Sequence, residues 1–306
     1  MKVACIGAMH LDVKARVIGE AHPGSSNPAV AVRTPGGVAG NVARNLGRLG
    51  LPVTLFSIVG DDAAGHSLLG ELHAASVDTS GVQHSNGPPT ASYLAILDRD
   101  GRLLIAAADM EVYEALDPAW ADRVGPGLGK FEAWVIDANL PAATIARLLR
   151  YAGKALLVAD PVSVAKAPRL AASLPRLDVL FPDRAEALAL AGLPADEEAS
   201  VVVAAAAIRR RGARRVVVSL GWRGAYLDDG VLPRQVPALP ARAVVDVTGA
   251  GDAQIAGYVY GLSREGSGHD PIDWGMAAAS LTVETIDSVR ADLTPALLAD
   301  RLAGRR

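Results

Sequence analysis

The sequence has a single cysteine, Cys5, among 306 residues, and this scarcity removes several classes of protein. One thiol cannot form an intramolecular disulfide or build a cysteine metal cluster. Cys5 lies in the apolar run VACI (3–6), which predicts a buried strand position rather than a nucleophile. The six histidines show no metal-ligand spacing. A disulfide framework and a cysteine metal cluster are therefore excluded.

An excess of one charge and long apolar runs are also missing. The 30 basic and 33 acidic residues give a net charge of −3, which offers no basic surface for nucleic acid or an anionic membrane. No window approaches the roughly 18 uninterrupted apolar residues of a membrane span. His10 and Asp12 interrupt the N-terminal apolar run too early for a signal peptide. We expect a soluble, cytoplasmic protein without nucleic-acid or membrane partners.

Aromatic residues make up only 4% of the chain, while half of it is hydrophobic, so the core is built mainly from Ala, Val and Leu. Short apolar runs alternate with segments of helical periodicity. The predicted strands are 2–7, 52–60, 133–138, 155–160, 177–181 and 214–220, and the predicted helices are 38–50, 63–76, 141–152, 183–192, 197–211, 249–265 and 270–286. This alternation predicts an α/β fold with a mostly parallel central sheet covered on both faces.

Two regions depart from this alternation. Residues 11–34 and 91–107 have strand character, and Asp100-Gly101 marks a hairpin turn in the second region. They predict a small second sheet, the alternative being edge extensions of the main sheet. Both follow strand ends, where parallel sheets bind ligands. We therefore predict a lid, formed by 11–34 and 91–107, within a single domain that spans 1–306.

The stretch VVDVTGAGDAQIAG (244–257) predicts an apolar strand, a glycine-rich turn and a helix. Small residues in such a turn let backbone N–H groups point at an anion, and the helix N-terminus adds positive potential. No Walker A motif occurs in the chain, and Gln254 stands where the dinucleotide fingerprint requires Gly or Ala. Asp252 either complements the helix N-terminus or takes part in chemistry at the anion.

A second glycine-rich stretch, TPGGVAGNVARNLGRLG (34–50), precedes another predicted helix. Gly36 and Gly37 allow a close backbone approach to a small polar ligand. Asn41, in the first helical turn, is placed to reach hydroxyl groups. The alternative is a plain turn with Asn41 in solvent.

Together, these two stretches resemble the two signatures of the ribokinase-like (PfkB) carbohydrate and nucleoside kinases, in that family's order and separation. The resemblance covers essentially the whole chain and implies a three-layer α/β/α fold that transfers phosphoryl from ATP to a sugar hydroxyl. It implies that Asp252 is the catalytic base, since a positioned carboxylate accepts the hydroxyl proton. It also implies an anion hole at Gly249, Ala250 and Gly251, and sugar binding by Asp12, Gly36, Gly37 and Asn41.

The resemblance implies a magnesium motif with one departure. The family usually has Asn-x-x-Glu where this chain has Asp183-Arg184-Ala185-Glu186. Glu186 is retained and would bind Mg²⁺ through water beside ATP. Asp-x-x-Glu is also a helix capping box, and both roles are compatible.

Two further loops extend the resemblance. In SLGWRG (219–224), it implies that the backbone at Ser219, Gly221 and Gly224 lies against ATP. We expect Trp222 to cap the core rather than contact adenine. Asp246 and the Thr248 carbonyl resemble a site for a monovalent cation such as K⁺.

Four segments, GDDAAGHSLL (60–69), ASYLAILDRDGRLLIAAADM (91–110), VIDANLP (135–141) and DPVSVAK (160–166), resemble the pseudouridine kinase branch of that family. That branch phosphorylates the 5′-hydroxyl of pseudouridine. It implies that Asn139 contacts the sugar. The extra ring N–H of pseudouridine needs an acceptor, for which Asp109, Asn139 and Thr90 all remain open.

Two basic side chains keep two interpretations each. Lys166 meets the phosphates or an acid, or it forms a surface salt bridge. His10, beside Asp12, contacts the nucleoside or is a bystander at a strand end.

Three other functions compete with pseudouridine kinase. The first is a ribokinase-like kinase of another nucleoside or sugar, such as ribose, uridine, adenosine or inosine. The second is a catalytically silent sugar sensor, which the intact base and anion hole disfavour. The third is a dinucleotide-binding oxidoreductase, which Gln254 disfavours. An exposed edge of the lid would offer a pairing surface to a second copy. The family resemblance, more than these residues, implies a homodimer through the lid.

Overall fold

The computed structural model describes residues 1–194, 200–264 and 266–304. Within these ranges the chain forms two β-sheets and a set of surrounding helices. The strands are β1 (Val3–Ile6), β2 (His10–Val17), β3 (Ala29–Gly36), β4 (Val53–Gly60), β5 (Asp78–Ser85), β6 (Ser92–Leu97), β7 (Leu103–Asp109), β8 (Ala133–Asp137), β9 (Leu156–Asp160), β10 (Val179–Leu180), β11 (Val216–Ser219), β12 (Ala225–Asp228) and β13 (Arg234–Val236).

The α-helices are α1 (Val38–Arg48), α2 (Ala63–Ala74), α3 (Pro118–Leu128), α4 (Ala142–Leu148), α5 (Arg184–Ala191), α6 (Val201–Arg210), α7 (Ala250–Leu262), α8 (Pro271–Thr282) and α9 (Pro295–Ala303). Local side chains fix several starting points: Asp62 caps α2, and Asp270 forms a capping box with Asp273 at α8. No helix in the described part of the chain is long and apolar enough to cross a bilayer.

The central sheet has the order β13-β12-β11-β10-β9-β8-β1-β4-β5. All neighbours from β11 to β5 are parallel, and β12 and β13 are added antiparallel at one edge. Strand β1 is central and completely buried, with Val3 in register with Val53 on one side and Ala133 on the other. The predicted mostly parallel sheet is confirmed.

Helices cover both faces of this sheet, which gives the three layers that the resemblance implied. One core cluster joins the sheet to α1, α2, α7, α8 and α9, as seen in the burial of Val42, Leu68 and Ile255. The other joins it to α3, α4, α5 and α6, through residues such as Trp120 and Ile145. The carboxyl ends of the parallel strands therefore open between two helical layers, where ligands bind in such sheets.

The four remaining strands form a separate mixed sheet of order β3-β2-β6-β7, here called the lid sheet. Its central pair, β2 and β6, is parallel, and both outer pairs are antiparallel. The prediction of a second sheet from 11–34 and 91–107 is confirmed, and the alternative of edge extensions is wrong. The strands extend slightly past both predicted ranges, to Gly36 and Asp109.

Other predictions were less accurate. The apolar run before the glycine-rich turn is not a strand: Val244, Val245 and Val247 are exposed, and no strand among the described residues pairs with them. Strands β5, β12 and β13 were not predicted. The predicted helix 197–211 begins at Val201, and residues 197–199 lie outside the described ranges, as does residue 265 of the predicted helix 249–265.

Candidate active site

A buried aspartate organises the centre of the site. Asp137, at the end of β8, accepts backbone N–H groups from Ala8 (2.9 Å), Ala39 (3.0 Å) and Asn139 (2.9 Å). Gly37 stands at the N-cap position of α1 and has no side chain to cap the helix. The Asp137 carboxylate, from β8, instead accepts the free N–H of Ala39 in the first turn of α1. Sequence reasoning missed Asp137 because its partners Ala8 and Ala39 lie about 100 or more residues away.

The Gly36-Gly37 pair is fixed by two close approaches. Gly37 has φ +93°, and a Cβ there would lie 2.5 Å from the Ala8 carbonyl oxygen. At Gly36 a Cβ would lie 2.5 Å from Oδ2 of Asp12. The glycines therefore leave room for the Asp12 carboxylate, and the structure brings Asp12, Gly36 and Gly37 together.

Asn41 and Asp252 join the first turns of α1 and α7. The Asn41 amide donates from Nδ2 to Oδ2 of Asp252 at 2.8 Å, and its Oδ1 accepts from the Ser288 hydroxyl at 3.4 Å. Asn41 is buried, so the alternative of a solvated side chain is wrong. Because the Ser288 hydroxyl holds the Oδ1 side of the Asn41 amide, its Nδ2 holds the Asp252 carboxylate in one orientation.

The pKa of the Asp252 carboxyl is raised toward neutral pH. Burial raises its pKa to about 7, and the negative charges of Asp137 and Asp12 add to this rise, while the hydrogen bond from Asn41 opposes it. A carboxylate with such a pKa is a much better proton acceptor than one at the ordinary value, yet it is still ionised in part at neutral pH.

The glycine-rich turn leads into α7 beside this carboxylate. Gly249 is the N-cap of α7 with φ +80°, and a Cβ there would overlap the Ser288 carbonyl oxygen. The surroundings of Gly251 are open. The Ala250 N–H donates to the Val247 carbonyl at 3.2 Å, which closes the turn. All three predicted anion-hole residues thus lie at the positive end of a helix.

A cavity of about 180 Å³ opens at the carboxyl ends of β9, β10 and β11, next to the start of α7. It brings together the predicted nucleotide-site residues Asp183, Glu186 and Ser219, but not Gly221 or Gly224. Its lining is Val38, Asp160, Val162, Phe181, Pro182, Asp183, Glu186, Val217, Ser219, Gly251, Asp252 and Gln254. Asp160 was not predicted as a site residue. A carboxylate at the end of a predicted strand could have indicated it, because parallel sheets bind ligands there.

The cavity is rich in acids and poor in positive charge. Burial raises the pKa of Asp160, with the charges of Glu186 and Asp252 adding to the rise, and burial also raises the pKa of Glu186 to about 7. Carboxylates whose ionisation is disfavoured in this way fit a hard divalent cation beside phosphates. Among the described residues no three metal-binding side chains are grouped closely enough to hold such an ion alone.

Asp183 and Glu186 form a reciprocal capping box at α5. The Asp183 N–H donates to Glu186 Oε2, and the Glu186 N–H donates to Asp183 Oδ1, both at 2.8 Å. The capping interpretation is therefore confirmed. Glu186 still faces the cavity, so the cap orients its carboxylate there.

The loop after β11 has the backbone that its glycines predict. Gly221 and Gly224 have φ +58° and +90°, and a Cβ on Gly224 would overlap the Val236 carbonyl oxygen. Ser219 lines the cavity, while Gly221 and Gly224 lie in the loop that follows it. The expectation that Trp222 caps the core is wrong: its side chain is 88% exposed, because the loop turns it away from the sheet.

The segment that precedes the glycine-rich turn is tied to the lid sheet. Asp246 Oδ1 accepts the N–H (2.8 Å) and hydroxyl (2.7 Å) of Thr248. Lys14, from β2, donates to Thr248 Oγ1 at 3.0 Å and pairs with Asp246 Oδ2 at 3.4 Å. A lysine ammonium thus contacts Asp246, one of the two predicted ligands of a monovalent cation, and the hydroxyl rather than the carbonyl of Thr248, the other.

Asn139 and Lys166 form a second polar group near Asp137. Lys166 Nζ donates to Asn139 Oδ1 at 2.5 Å, and Nδ2 of this buried Asn139 has no partner among the described residues. Lys166 is therefore not a surface salt bridge. An unpaired buried amide is a donor available to a ligand.

The remaining predicted contacts differ in their surroundings. His10 Nε2 lies 3.1 Å from Asp12 Oδ1, so this histidine contacts the acid that is predicted to bind the sugar. Asp109 is exposed at the end of β7, two strands away from β2. The Thr90 hydroxyl is engaged with Asp62 and Gly60 and therefore has a structural role rather than an open acceptor position.

This geometry defines a class of enzyme. A partly buried carboxylate with raised pKa stands at the start of a helix whose turn can face an anion, and it lines an acid-rich cavity. The arrangement fits a phosphotransferase.

Comparisons with known proteins give the family. Residues 1–293 match the model of the pfkB family of carbohydrate kinases. The chain is 33% identical over 256 residues to pseudouridine kinase of Escherichia coli (strain K12), which covers 83% of this chain and 82% of that protein. It is 27% identical over 302 residues to guanosine-inosine kinase of Exiguobacterium acetylicum, covering 97% and 98%.

A solved structure described as a carbohydrate kinase from Agrobacterium tumefaciens superimposes with a TM-score of 0.85 at 32% identity, over 99% of this chain and 97% of that chain. The protein therefore belongs to the pfkB family and is an ATP-dependent carbohydrate or nucleoside kinase. The ribokinase-like resemblance of the two glycine-rich stretches is confirmed.

Proposed function

We propose that the protein phosphorylates the 5′-hydroxyl of pseudouridine with ATP, using Asp252 as the general base. The main support is the Asp252 carboxylate, which is oriented by Asn41 and has its pKa raised to about 7 beside the glycine-rich turn. The 33% identical pseudouridine kinase supports the choice of acceptor.

Phosphoryl transfer needs a group that accepts the hydroxyl proton and a site that stabilises the negative charge on the transferred phosphoryl group. The acceptor oxygen attacks the γ-phosphorus of ATP, its proton passes to Asp252, and the bond to the bridging oxygen breaks to release ADP. The backbone at Gly249–Gly251 would stabilise the charge on the transferred group. Asp12, with Gly36, Gly37 and Asn41 near it, would hold the sugar hydroxyls.

The nucleotide would occupy the cavity beside Asp252, which Ser219 also lines. The protein backbone at Ser219, Gly221 and Gly224 would lie against ATP. Glu186 would hold Mg²⁺ through water, and the acids Asp160 and Asp183 lie beside it. When bound, this ion neutralises phosphate charge. Neutralisation would also favour the ionised forms of Glu186 and Asp252, whose pKa values are raised without it.

Asn139 is the best-supported contact for the nucleoside. Its unpaired Nδ2 can donate to a sugar or base oxygen, while Lys166 holds its Oδ1 and prevents the amide from turning. An acceptor for the extra N–H of pseudouridine is then left to Asp109 on the lid sheet.

A substrate panel tests the proposed acceptor. Purified protein is assayed for ADP release with ATP, Mg²⁺ and each of pseudouridine, uridine, adenosine, inosine, guanosine and ribose. We expect the highest kcat/KM with pseudouridine and identify the product as the 5′-phosphate by NMR. Equal or higher kcat/KM with another acceptor would reject pseudouridine in favour of that compound.

The second candidate is a purine nucleoside kinase, favoured by the guanosine-inosine kinase that matches nearly the full length of the chain. The same panel distinguishes it, because guanosine or inosine would then give the highest kcat/KM.

We also propose that residues 1–306 act as one domain and that two copies associate through the lid sheet. Strand β7 is exposed along its whole length and carries Leu103, Leu104 and Ile105. An exposed apolar edge strand of this kind is normally covered by a partner.

A further inference from the structure

The carboxylate expected to bind a monovalent cation is already paired with a cation of the protein. Lys14 Nζ lies 3.4 Å from Asp246 Oδ2 and 3.0 Å from Thr248 Oγ1. These are the two residues that suggested a K⁺ site. A K⁺ ion at Asp246 would therefore compete with an ammonium group attached to the same chain.

Both oxygens of Asp246 are engaged. Oδ1 accepts the N–H and hydroxyl of Thr248, and Oδ2 faces Lys14. Lys14 therefore completes the contacts of the Asp246 carboxylate, although both side chains remain about one third exposed.

Strand geometry explains how Lys14 reaches this position. Side chains two residues apart on a strand point to the same face, so Lys14 and Asp12 project from β2 in the same direction. Asp12 lies against Gly36 on the proposed acceptor side, and Lys14 reaches the segment before Gly249. One strand of the lid sheet therefore carries both the sugar-binding acid and the cation.

We propose that Lys14 replaces a monovalent cation: its ammonium supplies the fixed positive charge beside the glycine-rich turn, and the enzyme works without K⁺. A charge held next to a turn that receives phosphate favours the negative charge that develops there. This inference rests on the proposed role of Gly249–Gly251 as the anion hole. Lys14 lies outside both glycine-rich motifs, so the motifs alone do not predict this role.

The test compares wild type with Lys14→Met, which keeps the apolar stem and removes the charge. Lys154→Met, at an exposed lysine outside the site, is the matched control. Each protein is assayed in KCl and in NaCl at equal ionic strength, with the acceptor that gives the highest wild-type rate. The second readout is the thermal unfolding midpoint in the same two salts, without substrates.

Wild type and Lys154→Met are expected to have the same rate and the same midpoint in both salts. Lys14→Met is expected to lose about tenfold in kcat in NaCl, to recover much of it in KCl, and to be stabilised by KCl over NaCl. Activation of wild type by K⁺ would overturn the proposal. So would a Lys14→Met variant that shows no preference for K⁺ in either readout.

The two readouts also separate this inference from the proposed function. If wild type phosphorylates none of the acceptors, the proposed function fails, and the unfolding midpoints alone decide whether Lys14→Met gains a K⁺ site. A variant too unstable to purify leaves the wild-type comparison, which still overturns the proposal if K⁺ raises the wild-type rate or midpoint.

Discussion

The side-chain amide of Asn41 donates a 2.8 Å hydrogen bond to the carboxylate of Asp252 and so connects two glycine-rich motifs that are 211 positions apart in sequence. Each motif ends in a helix, and the contact lies between their first turns. The polar end of one motif therefore orients the proposed base of the other. This geometry makes the chemical role of Asp252 directly testable.

The substitution Asp252→Asn should separate catalysis from folding. The new side-chain amide retains an oxygen that can accept from Asn41, but it cannot take the hydroxyl proton. We expect kcat to fall by about two orders of magnitude or more, with ATP binding unchanged. Steady-state kinetics and calorimetric titration with ATP measure both, and near-normal turnover would refute the base assignment.

The activity of wild type should depend on pH in the neutral range. Asp252 must be ionised to accept a proton, and its pKa is raised to about 7, so kcat/KM should fall as the pH drops below about 7 and level off above it. Glu186 has a similarly raised pKa. The limiting slope of log kcat/KM against pH distinguishes one proton from two, and Glu186→Gln should leave a slope of one. A flat profile from about pH 5 to about pH 8 contradicts this account.

Two glycines of the same turn should respond differently to alanine. Gly249 has φ +80° and no room for a Cβ beside Ser288, whereas the surroundings of Gly251 are open. We expect Gly249→Ala to lower the free energy of unfolding by about 2 kcal/mol or more and to abolish activity. Gly251→Ala should keep its stability but raise KM for ATP, because its methyl group enters the nucleotide cavity. Equal losses of stability, measured by urea unfolding, would show that the turn is not held against Ser288.

These glycines also show what could be predicted from sequence. Gly36, Gly37 and Gly249 were recognised because glycine-rich turns before helices are visible in the sequence itself, although the groups that approach these glycines lie farther along the chain. The mostly parallel sheet was predicted for a similar reason, since apolar runs and helical periodicity are local. The family resemblance then supplied roles for residues whose chemistry is ambiguous alone.

What escaped prediction depends on long-range partners. Asp137 joins the loop after β1, the first turn of α1 and the loop after β8, and Lys14 contacts residues more than 230 positions away. The run at 244–247 looked like a strand by composition, but no neighbouring strand is available to pair with it in the described part of the chain. Burial of Asn139 with an unpaired amide, likewise, is visible only once the strands are assembled.

Lys166 should influence the acceptor rather than ATP. Its ammonium is half-buried, and burial lowers its pKa, with Arg169 adding to the decrease and Asp137 opposing it. Lys166→Met should release Asn139 and lower kcat/KM for the nucleoside about tenfold, with KM for ATP unchanged. Lys154→Met is again the control. A selective rise in KM for ATP would instead assign Lys166 to the phosphates.

The lid sheet should determine the oligomeric state. Ile105 lies on β7, and its side chain is 66% exposed. A lysine at this position would place a charge within any interface that covers the strand, where an unpaired charge is strongly unfavourable. We expect wild type to have twice the 31.5 kDa mass of one chain by light scattering, and Ile105→Lys to have the mass of one. Glu114→Lys, an exposed change outside the lid strands, should remain dimeric. A wild-type protein that is monomeric at all concentrations would remove the lid interface, and the exposed apolar side chains of β7 would then need another partner.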